Sequence, residues 1–182
     1  VLGYGSQGKA QSMNLKDNNF NVILGVIKNG NSWHKAVEDG WKPNIDLFDI
    51  DEASHKGKIV KYLLSDAGQK SCWETVKSNL NENDTLYFSH GFGITYNKYT
   101  KIEPPENINV IMVSPKCSGH TVRNNFINNK GFVSSYAVWQ DYSKKSTELC
   151  KALAFALGNN YIFETTFDNE VISDLTGERS VL

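Results

Sequence analysis

The chain has 182 residues and 20.4 kDa, 40% of them hydrophobic and 21% charged, a composition of globular proteins rather than disordered, fibrous or membrane ones. Its 19 Lys and Arg balance 20 Asp and Glu for a net charge of −1, so no basic field draws it to nucleic acid or an anionic membrane, and any phosphate must be held locally. A chain of this size buries roughly 70% of its unfolded surface and needs neither disulfide nor metal to hold a core; one domain is the default. Cys72, Cys117 and Cys150 lie far apart without metal-ligand spacing, and an odd count points to a reducing compartment. No apolar run approaches the 18 or so residues of a membrane span, and no charged-then-apolar signal segment opens the chain. The first residue is Val rather than Met, so the chain is expected to continue upstream.

Gly3, Gly5 and Gly8 open the chain in G-x-G-x-x-G order. That spacing permits a tight turn, a close approach of pyrophosphate to the backbone, and packing of the following helix on its strand, with the phosphate at the helix N-terminus. A purely structural glycine turn is the alternative. Only Val1 and Leu2 precede the turn, fewer than the 5 to 6 residues of an average strand. A helix is expected over Gln7–Lys16 and a strand over Asn21–Val26. The loop that follows shows no acid until Glu38. An acid there would take the ribose hydroxyls of NAD, so Lys28 and Ser32 are instead candidate contacts for the 2′-phosphate of NADP. A solvated lysine and a helix-capping serine are the bland alternatives.

Further strands are expected at Lys58–Leu64, Thr85–Ser89, Asn109–Val113, Ser135–Trp139 and Tyr161–Glu164, alternating with helices at Lys70–Asn79 and Lys144–Leu157 and short helical turns at Trp33–Asp39 and Gly119–Asn128. Leu149, Leu153, Ala156 and Leu157 share a face of the last helix, which Gly158 ends. The alternation predicts an α/β fold, a doubly wound and mostly parallel sheet of Rossmann type. Ligands of such sheets sit beyond the strands' carboxyl ends. Three segments there are LLSDAGQ (63–69), FSHGFG (88–93), which carries His90, and VSPKCSGHTVR (113–123), which carries Lys116 and Gly119. His34 and His55 fall in surface helices or turns. Asp174 and Glu178, four apart, would share one face of a helix and could serve magnesium, although spacing alone favours an exposed acidic face.

In order, GYGSQGKAQSMNL, LLSDAGQ, YFSHGFGITY, PKCSGHTVR, SSYAVWQD and TTFDNEVISDLTGE resemble ketol-acid reductoisomerase (acetohydroxyacid isomeroreductase), particularly its Bacteroidetes and yeast forms, over essentially the whole chain. The resemblance implies a magnesium-dependent enzyme of valine, leucine and isoleucine biosynthesis. It shifts an alkyl group in 2-acetolactate or 2-aceto-2-hydroxybutyrate and reduces the new ketone with NADPH. An NADP-binding module without turnover, and a β-hydroxyacid dehydrogenase relative that reduces without isomerising, are the alternatives.

Carried over by position, the resemblance makes Tyr4, Gly5, Ser6 and Gln7 the pyrophosphate turn between Gly3 and Gly8, and Ser32 a 2′-phosphate contact. It continues the cofactor site through Asp66, Ala67, Gly68, Gln69 and Gly119, and makes His90 and Lys116 catalytic and Asp174 and Glu178 the first ligands of two magnesium ions. Ile27 stands where the family often has an Arg that grips the 2′-phosphate; Lys28 is expected to compensate. The resemblance also implies a dinucleotide-binding domain over residues 1–165, with its first strand cut short, and the start of a helical, knotted C-terminal domain over 166–182. The missing part of that domain would supply two more glutamate ligands and a substrate-contacting serine. Homo-oligomers, no nucleic-acid or membrane partner, and the bacterial cytoplasm, or else the mitochondrial matrix, complete the expectations.

Overall fold

The structure, a computed structural model, describes residues 1–180, with side chains as far as Gly177. The glycine turn leads into α1 (Ser6–Asp17), then β1 (Leu24–Gly25), α2 (Asn31–Glu38), β2 (Leu47–Phe48), α3 (Ile50–Lys56) and β3 (Ile59–Lys61). Next come α4 (Asp66–Asn79), β4 (Thr85–Phe88), α5 (Phe92–Thr95), α6 (Asn97–Thr100) and β5 (Asn109–Pro115). The last third carries α7 (Gly119–Ile127), β6 (Val133–Gln140), α8 (Ser146–Leu157), β7 (Tyr161–Glu164) and α9 (Phe167–Ser180).

β1 and β2 form a parallel pair, and β3 to β7 form a five-stranded sheet in sequence order. Leu2 joins the two, bridging Gly25 on one side and Tyr62 on the other; its amide donates to Lys61 O at 2.8 Å, and its carbonyl accepts from the Leu63 amide at 2.9 Å. Among the described residues four of the five strand pairings are parallel, and only β5 with β6 is antiparallel. The reversal has a local cause. Residues 116–132 leave and return at the same end of the sheet, with the Lys116 amide donating to Val133 O at 2.9 Å, so β6 starts where β5 stops.

Helices cover both faces, as the continuous apolar runs of β4 and β5 require. On one face Leu86, Phe88, Val110 and Met112 pack with Trp73 of α4 and Phe167 of α9; on the other Tyr87, Ile111 and Val113 pack with Cys150, Leu153 and Ala154 of α8. Leu157 of α8 meets Ala10 and Leu15 of α1 and Val122 of α7. The doubly wound, mostly parallel expectation is thus met. Gly158 ends α8 with φ +100°, where a Cβ would stand 2.7 Å from Phe126 Cδ2.

Several boundaries differ from the sequence reading. Only Leu24 and Gly25 of the expected Asn21–Val26 strand join a ladder, because its neighbours contribute two residues from β2 and one from Leu2. β3 stops at Lys61, and Leu63 and Leu64 turn into a cleft. α4 starts four residues before Lys70, where the Ser65 hydroxyl accepts the Gly68 amide at 3.3 Å and caps it. β2, α3, α5 and α6 have no counterpart in the expected elements. No helix among the described residues is long and apolar enough to cross a membrane.

Candidate active site

The glycine turn is built by contact. Gly3 has φ +99°, and a Cβ on it would meet Leu63 O at 2.5 Å; a Cβ on Gly8 would meet Gly3 O at 2.2 Å, and one on Gly119 would meet Ser6 O at 2.1 Å. Strand end, turn and the starts of α1 and α7 are therefore pressed together, and these positions exclude side chains. Gly5 differs, since beyond its chain neighbours no atom lies within 4 Å of an added Cβ, and the space there is open.

A cleft of about 1030 Å³ opens beside this turn. It gathers Gly5, Ser6, Gln7, Asp66, Gln69, His90, Lys116, Gly119 and Asp174 from the expected site. Ala67 and Gly68 are not among its lining residues; like Asp66 and Gln69 they lie in the first turn of α4 rather than in a loop. Gln69 braces the strand end, its Nε2 donating to Leu64 O at 3.1 Å and Tyr62 O at 3.3 Å. Lys28 is exposed and Ser32 sits in the first turn of α2; neither lines a described cavity. The Tyr4 side chain turns away from the cleft. It is 5% exposed, its hydroxyl donates to Asp39 Oδ2 at 2.9 Å and accepts from Trp41 Nε1 at 3.1 Å, and burial, then the Asp39 carboxylate, push its pKa up. Any ligand contact in the large cleft must come from its backbone. The Glu178 side chain lies outside the described residues.

α9 supplies a further part of the cleft wall. Helical periodicity brings Glu170, Ser173, Asp174 and Gly177 to one face, and the last three line the cleft. Glu170 lies below them, 1% exposed. Its Oε2 accepts the Gly91 amide at 2.9 Å and lies 3.1 Å from His90 Nδ1; its Oε1 accepts the Ser114 hydroxyl at 2.7 Å and Lys116 Nζ at 3.3 Å. Burial opposes ionisation of Glu170, but His90, the Gly91 amide and Ser114 outweigh it and hold the carboxyl at about 2. Conversely, burial disfavours the His90 cation, and Glu170 first, then Asp174, overcome this and raise its pKa. The Asp174 carboxylate stands 3.2 Å from His90 Nδ1.

Sequence reasoning missed Glu170. The signal was available: Glu170, Asp174 and Glu178 recur every four residues, so the acidic face of α9 has three members rather than a pair. The missed residue is the one that ties His90 to Lys116.

His90, Glu170 and Asp174 offer donor atoms all within 4.8 Å of one another. Hard carboxylate oxygens in this setting suit magnesium. Both Glu170 oxygens already have protein partners, which leaves Asp174 as the donor facing the cleft.

Fold and cleft define the class, a Rossmann-type α/β domain whose cleft opens beyond the carboxyl ends of its strands. A family model described as the acetohydroxy acid isomeroreductase NADPH-binding domain matches residues 1–161, and the chain belongs to this family. All of it aligns at 55% identity with a ketol-acid reductoisomerase (NAD(+)) of Desulfosudis oleivorans, covering 52% of that protein, and at 50% with the mitochondrial ketol-acid reductoisomerase of Saccharomyces cerevisiae, covering 46%. The chain thus spans about half the length of the curated relatives it matches. Among solved structures, an NADH-preferring ketol-acid reductoisomerase from an uncultured archean superposes with a TM-score of 0.91 at 38% identity, over all of this chain and 55% of that one. A Mycobacterium tuberculosis 3-hydroxyisobutyrate dehydrogenase, at 11% identity and TM-score 0.69, shares the fold alone.

Proposed function

We propose that this chain is the dinucleotide-binding part of a ketol-acid reductoisomerase acting on 2-acetolactate and 2-aceto-2-hydroxybutyrate in branched-chain amino-acid biosynthesis. The observation that carries the reading is the convergence of Lys116 and His90 on buried Glu170, with Asp174 against His90, at the mouth beside the glycine turn. Bound magnesium would supply Lewis acidity to the substrate's oxygens, and NADPH the hydride. The chain's own residues do the rest. Glu170 holds Lys116 and His90 at fixed separation, so no reorganisation is needed as charge develops. Lys116 presents positive charge toward a substrate oxygen, and His90, facing the cleft, moves a proton to or from it directly or through water. Asp174, with Glu178 on the same helix, would hold two magnesium ions together with ligands from the rest of the protein.

On this reading residues 1–165 form the NADP-binding domain and 166–182 begin the metal-binding helical region. The cofactor is NADPH, with Lys28 and Ser32 serving the 2′-phosphate in place of the Arg lost at Ile27; the family model's NADPH-binding description supports this. The partners are the small acid and further copies of the protein. The bacterial cytoplasm is the first reading of its compartment, and the mitochondrial designation of the fungal relatives keeps the matrix as the second. Expression of the complete gene should yield magnesium-dependent NADPH oxidation with 2-acetolactate. Lys116→Ala and Asp174→Ala should each reduce it by at least about a hundredfold; rates near wild type in both would reject the assignment.

A further inference from the structure

Gln11 lies on α1, one turn beyond Gln7 of the glycine motif, and has no solvent exposure. Its Nε2 donates to Gln7 Oε1 at 3.1 Å and to Ser89 Oγ at 2.8 Å, and its Oε1 lies 3.0 Å from the Tyr87 hydroxyl, whose single hydrogen is shared with Val113 O at 3.1 Å. Gln7 in turn donates from Nε2 to Cys117 O at 3.0 Å. The direction of this chain is forced. A carbonyl only accepts, so Gln7 must present its amide hydrogens to Cys117 and its oxygen to Gln11. Gln11 must then present its own hydrogens to Gln7 and Ser89. The chain links the cofactor turn, through the buried amide, to the residue before His90 and the residue after Lys116. Gln7 and Ser89 both line the cleft, whereas Gln11 does not.

We propose that Gln11 is a positioning residue, a buried amide that fixes Gln7 where it lines the cleft and couples the glycine turn to the strand end carrying His90. The proposal rests on the functional reading above. Gln11 touches neither cofactor nor substrate; it acts through Gln7 and Ser89. Its contacts span 76 and 78 residues of sequence, so local helix propensity does not account for them. An apolar side chain of equal volume would leave Gln7 Oε1 and the Ser89 hydroxyl without this partner, so cofactor binding and Tm are read separately.

The test uses the complete protein and compares wild type, Gln11→Met, Gln7→Ala, the double variant, and Gln11→His, which restores a donor and an acceptor. The readouts are the NADPH dissociation constant from nicotinamide fluorescence, kcat and KM for NADPH, and Tm. In Gln11→Met we expect the dissociation constant to rise about tenfold, the effect of one hydrogen bond, with a lower kcat and part recovery in Gln11→His. Adding Gln11→Met to Gln7→Ala should cost less than about threefold more, because residues acting through one another are not additive. Unchanged binding and kcat in a folded Gln11→Met, or fully multiplicative losses in the double variant, would overturn the proposal. If Gln11→Met does not fold, Ser89→Ala decides on its own: it should lower kcat at near-wild-type Tm, and an unchanged kcat overturns the coupling. Wild-type protein that binds NADPH but does not turn over 2-acetolactate would instead reject the functional reading, while the binding comparison still decides the role of Gln11.

Discussion

Glu170 shows how one buried side chain sets the chemistry of its neighbours. Its carboxyl is held at about 2 against an ordinary 4.5, a difference equivalent to about 3 kcal/mol. A depressed carboxyl stabilises the fold fully above its ordinary pKa, and that contribution fades as pH falls from about 4.5 toward 2. Glu170→Gln should therefore melt earlier than wild type at pH 7, and the gap should close on acidification; a gap constant from pH 7 to pH 3 would show that the charge is not the cause. The same variant should lower the pKa of His90, followed by NMR, because the largest influence favouring its cation is gone while burial remains. His90 and Lys116 were readable from the sequence, since each follows an apolar run with one or two residues between. Glu170 was not, because a buried acid among Phe167 and Val171 reads as part of an amphipathic pattern until its partners from β4 and β5 are known.

Among the elements, long apolar runs were legible and short or reversed ones were not. β4 and β5 announce themselves as unbroken apolar stretches covered on both faces, and α8 by its repeating Leu and Ala. β2 has two residues and α5 and α6 have four each, too few for any period to show. The antiparallel entry of β6 is also invisible, because a strand's apolar pattern carries no direction; it follows from where residues 116–132 return. Two helix-end glycines give paired predictions. Gly158→Ala places a Cβ at φ +100° against Phe126 and should cost about 1 kcal/mol or more without altering NADPH affinity. Gly119→Ala drives α7 from Ser6 at the glycine turn and should weaken NADPH binding at least about tenfold at a similar loss of Tm. Equal affinities in the two variants, measured by fluorescence titration, would mean that the contact of α7 with the turn does not shape the cofactor site.

At the scale of the molecule, the fold places the glycine turn and the Glu170, His90 and Lys116 cluster on one cleft, and α9 ties that cluster to the core through Phe167 and Val171. Both the alternation of elements and the family were legible from the order of motifs along the chain. The coupling between the two halves of the cleft was not, because it runs through contacts of Gln11 with Ser89 and of Glu170 with Gly91 and Ser114, each more than 50 residues apart in sequence. If the cleft serves the proposed alkyl shift joined to a reduction, NADPH and product must change together after 2-acetolactate is added to the complete protein. The expected result is one 2,3-dihydroxy-3-methylbutanoate formed per NADPH oxidised, and neither change without magnesium. NADPH oxidation coupled to a simple keto acid, undiminished when magnesium is chelated and with no rearranged product from 2-acetolactate, would contradict it.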